Sequence, residues 1–139
     1  METFEWAENI PVTANNLNAM QTILGGNFIM KGTVLWTNPN PNADFAAQNI
    51  TLSSSDYDYY EVFFRTVITG NLCFSTKALK GYGTQLSFNS AAISARHWVR
   101  RILYTNDTTL SSQECAKLDD AYTADNGQCV PLLIIGYKY

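Results

Sequence analysis

A chain of 139 residues, 46% hydrophobic and only 15% charged, fits one domain with a sizeable core. A formal net charge of −3 offers no basic footprint for nucleic acid, and no apolar run nears the roughly 20 residues of a membrane helix. Neither nucleic-acid binding nor membrane insertion is expected, and aromatics at 13% with abundant Asn, Thr and Ser favour an all-β protein over a helical bundle.

Residues 1–28 differ in kind from the rest of the chain. Thr13 and Asn15 can each cap a helix and Gly25-Gly26 can stop it. Leu17, Met20 and Leu24 fall at i, i+3 and i+7, one narrow apolar stripe. A helix of about ten residues is marginal alone, so it needs the β-domain or copies of itself to lie on. Three copies about one axis would bury Leu17, Met20 and Leu24 together, making 1–28 a trimerisation or attachment segment ahead of a β-domain at 29–139.

Residues 30–36 read as the first strand, stopped by Asn38-Pro39-Asn40-Pro41-Asn42. Residues 45–52 return, ending in a serine-rich turn at 53–56. Residues 57–68, YDYYEVFFRTVI, have no Gly or Pro and form the central strand. Its alternate positions Tyr60, Val62, Phe64, Thr66 and Ile68 make a core row; Tyr57, Tyr59, Glu61, Phe63, Arg65 and Val67 make a mixed row. Gly70-Asn71 signals a hairpin, so 72–79 runs back antiparallel. After a break at 80–83 another strand begins at 84–88. Residues 92–105 form a second long strand, with His97, Val99, Arg101 and Leu103 on its more apolar side and Arg96, Trp98, Arg100, Ile102 and Tyr104 on the other.

The stretch 107–122 is open between two readings. Ser111-Ser112-Gln113-Glu114 fits a capping box, while Thr108, Leu110 and Ser112 could start a strand. Residues 119–127 are a polar loop, and 130–139 closes the chain as an apolar strand tied into a sheet. Short strands at regular spacing predict an antiparallel β-sandwich, jelly-roll-like, after the short helix.

Chemistry is sparse. Cys73, Cys115 and Cys129 lack CxxC spacing and are expected as reduced, packed thiols, with a Cys115–Cys129 pair left open. The single histidine, His97, has no partner at ligand spacing, so no metal and no cofactor are expected. A glycosidase needs two carboxylates flanking a cleft. Asp58 and Glu61 point to opposite faces of one strand, and Asp119-Asp120 sits in a loop, so no enzyme is expected. There remain Arg96, Trp98, Arg100 and Tyr104 on one strand face. Flat rings stack on sugars, and guanidinium groups offer planar donors. The plain alternative is that these residues pack on one another or pair with Glu61. Loops 38–42 and 119–127 are the next places to seek a site.

Two parts of the chain, its start and its β-domain, carry a resemblance. Trp6-Ala-Glu-Asn-Ile-Pro-Val-Thr-Ala-Asn-Asn-Leu-Asn-Ala-Met20 resembles the segment that precedes distal modules in tail fibres of phages infecting Gram-positive bacteria, where such a pattern opens a helix around a threefold axis. Tyr57-Asp58-Tyr59 with its aromatic strand, Asn106-Asp-Thr-Thr-Leu110, and the ending Cys129-Val-Pro-Leu-Leu-Ile-Ile-Gly-Tyr-Lys138 resemble strands of the C-terminal tip domains of those fibres. The resemblance implies a strand from Thr108 towards Cys115. It also implies a homotrimeric, non-enzymatic virion protein that joins other tail or baseplate proteins and contacts a host surface glycan. A polysaccharide hydrolase domain and a purely structural connector are the alternatives.

Overall fold

The computed structural model describes residues 32–68, 70–90, 96–118 and 122–139. The expected helix and its stripe, Leu17, Met20 and Leu24, lie outside the described residues. Ten strands and no helix run through the described part. They are β1 (Gly32–Thr37), β2 (Gln48–Thr51), β3 (Tyr59–Thr66), β4 (Leu72–Leu79), β5 (Thr84–Ser90), β6 (Arg96–Asn106), β7 (Thr109–Ser112), β8 (Ala116–Leu118), β9 (Tyr122–Ala124) and β10 (Val130–Tyr137).

All pairings are antiparallel, and the strands form two sheets, an all-β arrangement consistent with a β-sandwich. The first sheet has the order β1-β10-β3-β4. The second is built on β6, whose one edge pairs with β5 along its length. Its other edge is divided: β7, backed by β2, takes Ile102 to Asn106, and β8, backed by β9, takes His97 to Val99.

The central strand is where its composition puts it. β3 lies between β10 and β4, and Tyr60, Val62, Phe64 and Thr66 are at most 3% exposed while Glu61, Phe63 and Arg65 are half-buried. Alternation of side chains across a pleated strand gives this split directly. β4 has the expected bounds and pairs with β3 from Thr66↔Leu72 to Tyr59↔Leu79. The C-terminal strand sits in the middle of its sheet, between β1 and β3. Its Pro131 cannot donate a ladder hydrogen bond, and the register shifts at that point as a bulge. Gly136 lies where a Cβ would come 2.7 Å from Leu35 and 2.9 Å from Tyr57, so the close packing there needs a residue without one.

Four expectations are corrected or decided. Residues 109–118 hold two short strands and no helix: in β7 Leu110 and Ser112 alternate inward, as period two requires, and after residues 113–115 comes β8. The returning segment 45–52 keeps only a short strand, β2, which joins β7 in the opposite sheet from β1. Tyr57 precedes β3, is 2% exposed and donates its hydroxyl proton to the Asp107 carbonyl at 2.8 Å, so it belongs to the core. The two faces of β6 are exchanged: Trp98, Arg100 and Ile102 point into the core, and Arg101 and Leu103 face out. A charged residue ordinarily marks the wet side of a strand, whereas here the guanidinium is buried with its donors satisfied.

Candidate functional site

The expected glycan-stacking row does not form a surface. Trp98 is 1% exposed and Arg100 0%, whereas Arg96 and Tyr104 are half-buried. The Trp98 indole donates to Asp125 Oδ2 at 2.9 Å, and its ring packs on Phe88. Tyr104 donates to the Asp107 carboxylate, and this bond holds its pKa up at about 12. Stacking on Trp98 is therefore ruled out by burial. Nor does Arg100 pair with Glu61, which instead accepts from Ser75 Oγ at 2.7 Å and Tyr137 Oη at 2.8 Å.

Arg100 works inward. Its Nε donates to the Cys129 carbonyl at 2.8 Å and its Nη1 to the Gln113 carbonyl at 2.7 Å and Ser112 Oγ at 3.3 Å. Its Nη2 reaches the carbonyls of Asn126 and Gln128, both at 3.4 Å, and the guanidinium lies over the Phe45 ring. Burial draws its pKa down, opposed by the nearby Cys115, Cys129 and Glu114. The effect is to hold the turn from Asp125 to Cys129 at a fixed place. Gln128, 5% exposed, accepts from Thr66 Oγ1 and from the Val67 amide at 2.9 Å, and the Asn126 side chain accepts from the Cys115 amide at 2.9 Å.

The second arginine that matters is Arg65. It grips the Asn-Pro loop from beneath, donating to the carbonyls of Pro41, Ala43 and Gly127. Asn38, 5% exposed, donates to the Pro131 carbonyl at 2.8 Å and accepts from the Asn40 amide at 2.8 Å. The Phe45 amide donates to the Asn126 carbonyl at 2.9 Å. A proline-rich loop with this many main-chain anchors is rigid before any ligand arrives.

Over this loop lies a cleft of about 200 Å³ lined by Trp36, Asn40, Asp44, Phe45, Gln48 and Asn49, among others. Trp36 is half-buried and held edge-on against Phe45, ring centroids 5.8 Å apart at 76°. Around it stand exposed amides and one carboxylate; the side chains of Asp44 and Asn49 have no hydrogen-bond partner among the described residues. An aromatic wall ringed by planar polar groups suits a hydroxyl-rich ligand: the ring covers C–H faces while amides and carboxylate satisfy hydroxyls. The sequence predicts a turn here, in which the asparagines read as punctuation only. The missed signal is Trp36, two positions before the stop, with Gln48-Asn49 beside it once the chain returns.

Two other concavities are less apt. One, about 330 Å³, lies on the outer side of β6 and β8 with Val99, Ala116 and Leu118 as its floor and is mostly apolar. The other, about 430 Å³, is shared by Arg65, Val67, Leu72 and Cys73, and its arginine is already engaged by carbonyls. Among the described residues no group of three or more His, Cys, Asp or Glu could hold a metal ion. His97 is half-buried, and its Nε2 has no hydrogen-bond partner among the described residues.

No family model matches the chain, and no match was found among curated proteins or solved structures.

Proposed function

We propose that the chain is a tail-fibre or receptor-binding tip protein of a phage of Gram-positive bacteria, assembled as a homotrimer, that binds a host surface glycan in the Trp36–Asn49 cleft. The observation that carries this reading is the cleft itself: one indole from β1, amides from β2 and the loop, and one carboxylate on that loop, which Arg65 and Asn38 lock. The resemblance of residues 6–20, 57–59 and 129–138 to fibre segments supplies the biological setting. Strand pairing agrees with a jelly-roll-like reading, since β1 pairs with the last strand, β10, and β2 with β7 in a nested order. In the trimer, residues 1–28 form the helical attachment segment, with Leu17, Met20 and Leu24 along the axis, joined to other tail or baseplate proteins. Three clefts on one axis multiply a weak single-site affinity, by ~10²–10⁴, so each can be shallow.

The test is saturable binding of the full chain to purified Gram-positive wall polysaccharides. Asp44→Ala and Asn49→Ala change exposed groups, and each is expected to weaken binding at least tenfold with the melting temperature unchanged. Trp36→Ala should abolish it. Binding that ignores all three variants would remove the cleft from the proposal. Release of reducing ends during incubation would favour the hydrolase reading instead.

A further inference from the structure

Cys115 and Cys129 meet inside the core, each 0% exposed. The backbone brings them together: the Cys115 amide donates to Asn126 Oδ1 at 2.9 Å, and its carbonyl accepts from the Asp125 amide at 2.8 Å. The Gln128 amide closes back on the Asp125 carbonyl at 3.2 Å, and Arg100 pins the Cys129 carbonyl at 2.8 Å. Cys129 is the one non-glycine residue at positive φ among the described residues, at 47°, a conformation that L side chains rarely take without a reason in the surroundings. Both side chains belong to one buried core cluster, Cys129 Sγ reaches the Trp98 carbonyl at 3.8 Å, and each thiol lies near enough to the other to shift its ionisation. All three cysteines are free, and Cys73 stands apart on the exposed edge strand β4.

We infer that Cys115 and Cys129 form a latent disulfide, which closes when the chain meets a disulfide donor of the glutathione class and staples the root of β8 to the start of β10. The pair is sealed in the folded core, so oxidation needs an opening. β8 and β9 are three residues each, and every β9 side chain is exposed, so this hairpin opens at lower cost than the core sheets. Cys115 at its root is uncovered first, while Cys129 starts a strand held between β1 and β3. The Cys115 thiolate attacks one sulfur of glutathione disulfide, expelling one glutathione thiolate and leaving a mixed disulfide. As the hairpin closes, Cys129 gives its proton to water and its thiolate attacks the Cys115 sulfur, releasing the second glutathione. Two protein thiols are oxidised and one glutathione disulfide is reduced to two glutathiones.

The experiment refolds the full chain from denaturant with glutathione disulfide in one arm and dithiothreitol in the other, then alkylates under denaturing conditions. Mass spectrometry should find Cys115 and Cys129 unalkylated in the first arm, with Cys73 either alkylated or carrying one glutathione, and three alkylated thiols in the second. Non-reducing peptide mapping should join the Cys115 and Cys129 peptides, and the oxidised chain should melt on the order of 10 °C higher. Cys73→Ser should keep the cross-link and the rise, while Cys129→Ser should lose both. Three alkylated thiols in both arms would overturn the inference, as would an intramolecular link that uses Cys73. Should Cys129→Ser fail to fold, the mapping on Cys73→Ser decides alone.

Discussion

Arg100 holds the turn from Asp125 to Cys129 with its charge buried and no carboxylate among its hydrogen-bond partners in the described residues. Its donors meet four carbonyls and one hydroxyl, which together carry the partial negative charge a counter-ion would otherwise supply. Losing it strands those acceptors in the core. Arg100→Met is therefore expected to cost at least about 3 kcal/mol in chemical denaturation. Arg100→Lys, with a point charge and three donors, should cost ~1–3 kcal/mol. Trp98→Ala leaves a ring-sized hole and an unpartnered Asp125 oxygen, so it should cost ~3–5 kcal/mol. Equal stability of Arg100→Met and the parent chain would refute the buried-hub reading. Gly83 makes a different demand: a Cβ there would stand 2.3 Å from the Ile102 carbonyl oxygen, which belongs to backbone and cannot swing aside. Gly83→Ala should cost about 1–3 kcal/mol by overpacking.

At the scale of elements, β3 shows how one strand serves two environments. Phe64→Ala should cost ~3–5 kcal/mol, since Phe64 is 3% exposed, and Glu61→Ala under about 1 kcal/mol on the outer face. Similar losses for both would contradict the face assignment. Burial, with the hydrogen bond to Glu61, pushes the Tyr137 pKa up to about 12. Tyr60 is raised too, chiefly by desolvation. A hydroxyl whose folded pKa lies above its ordinary value of 10 stabilises the fold fully below pH 10. That contribution disappears as pH rises towards 12. Melting temperature should thus fall over this alkaline window, less steeply in Tyr137→Phe, and tyrosinate absorbance should appear later than in the unfolded chain. The strands β3 and β4 were legible because they run without Gly or Pro between turn signals, and β10 because it is almost wholly apolar despite Pro131 and Gly136. The face of β6 was not, because Arg96 and Arg100 alternate with Trp98 and mimic a wet surface. Only the tertiary carbonyls that receive Arg100 reverse that pattern, and no local signal announces them. The cleft was half legible: the Asn-Pro loop is marked by its prolines, but its pairing with Gln48 and Asn49 depends on β2 crossing to the other sheet.

For the whole molecule, the two edge strands of the first sheet, β1 and β4, bear on assembly. Val34 is 54% exposed, and on the edge strand β4 Leu72 is 39%, Phe74 40% and Leu79 51% exposed. An edge strand so apolar, with Lys77 as its only charge, is costly to leave in water. The proposed homotrimer is checked by light scattering at micromolar concentration, where a mass of three chains is expected and a mass of one chain would sink it. Leu17→Asp should dissociate the trimer if the helical segment holds it. A trimer that survives that change is held by the β-domain.

The position of β10 bears on how the molecule comes into being. β10 follows β1, β3 and β4 in the chain yet lies between β1 and β3, so the first sheet has a gap at its centre until residues 130–137 are made. The Tyr139 amide then donates to Asp58 Oδ2 at 2.8 Å, and the Asp58 amide to the Tyr137 carbonyl at 2.7 Å, joining the chain's end to the entrance of β3. The sheet cannot close before Val130–Tyr137 have been made, and its closing contacts reach from Gly32 to Tyr137, a sequence separation that makes this step slow. A nascent chain arrested short of Val130 should remain protease-sensitive, and release of the full chain should confer protection in a single step.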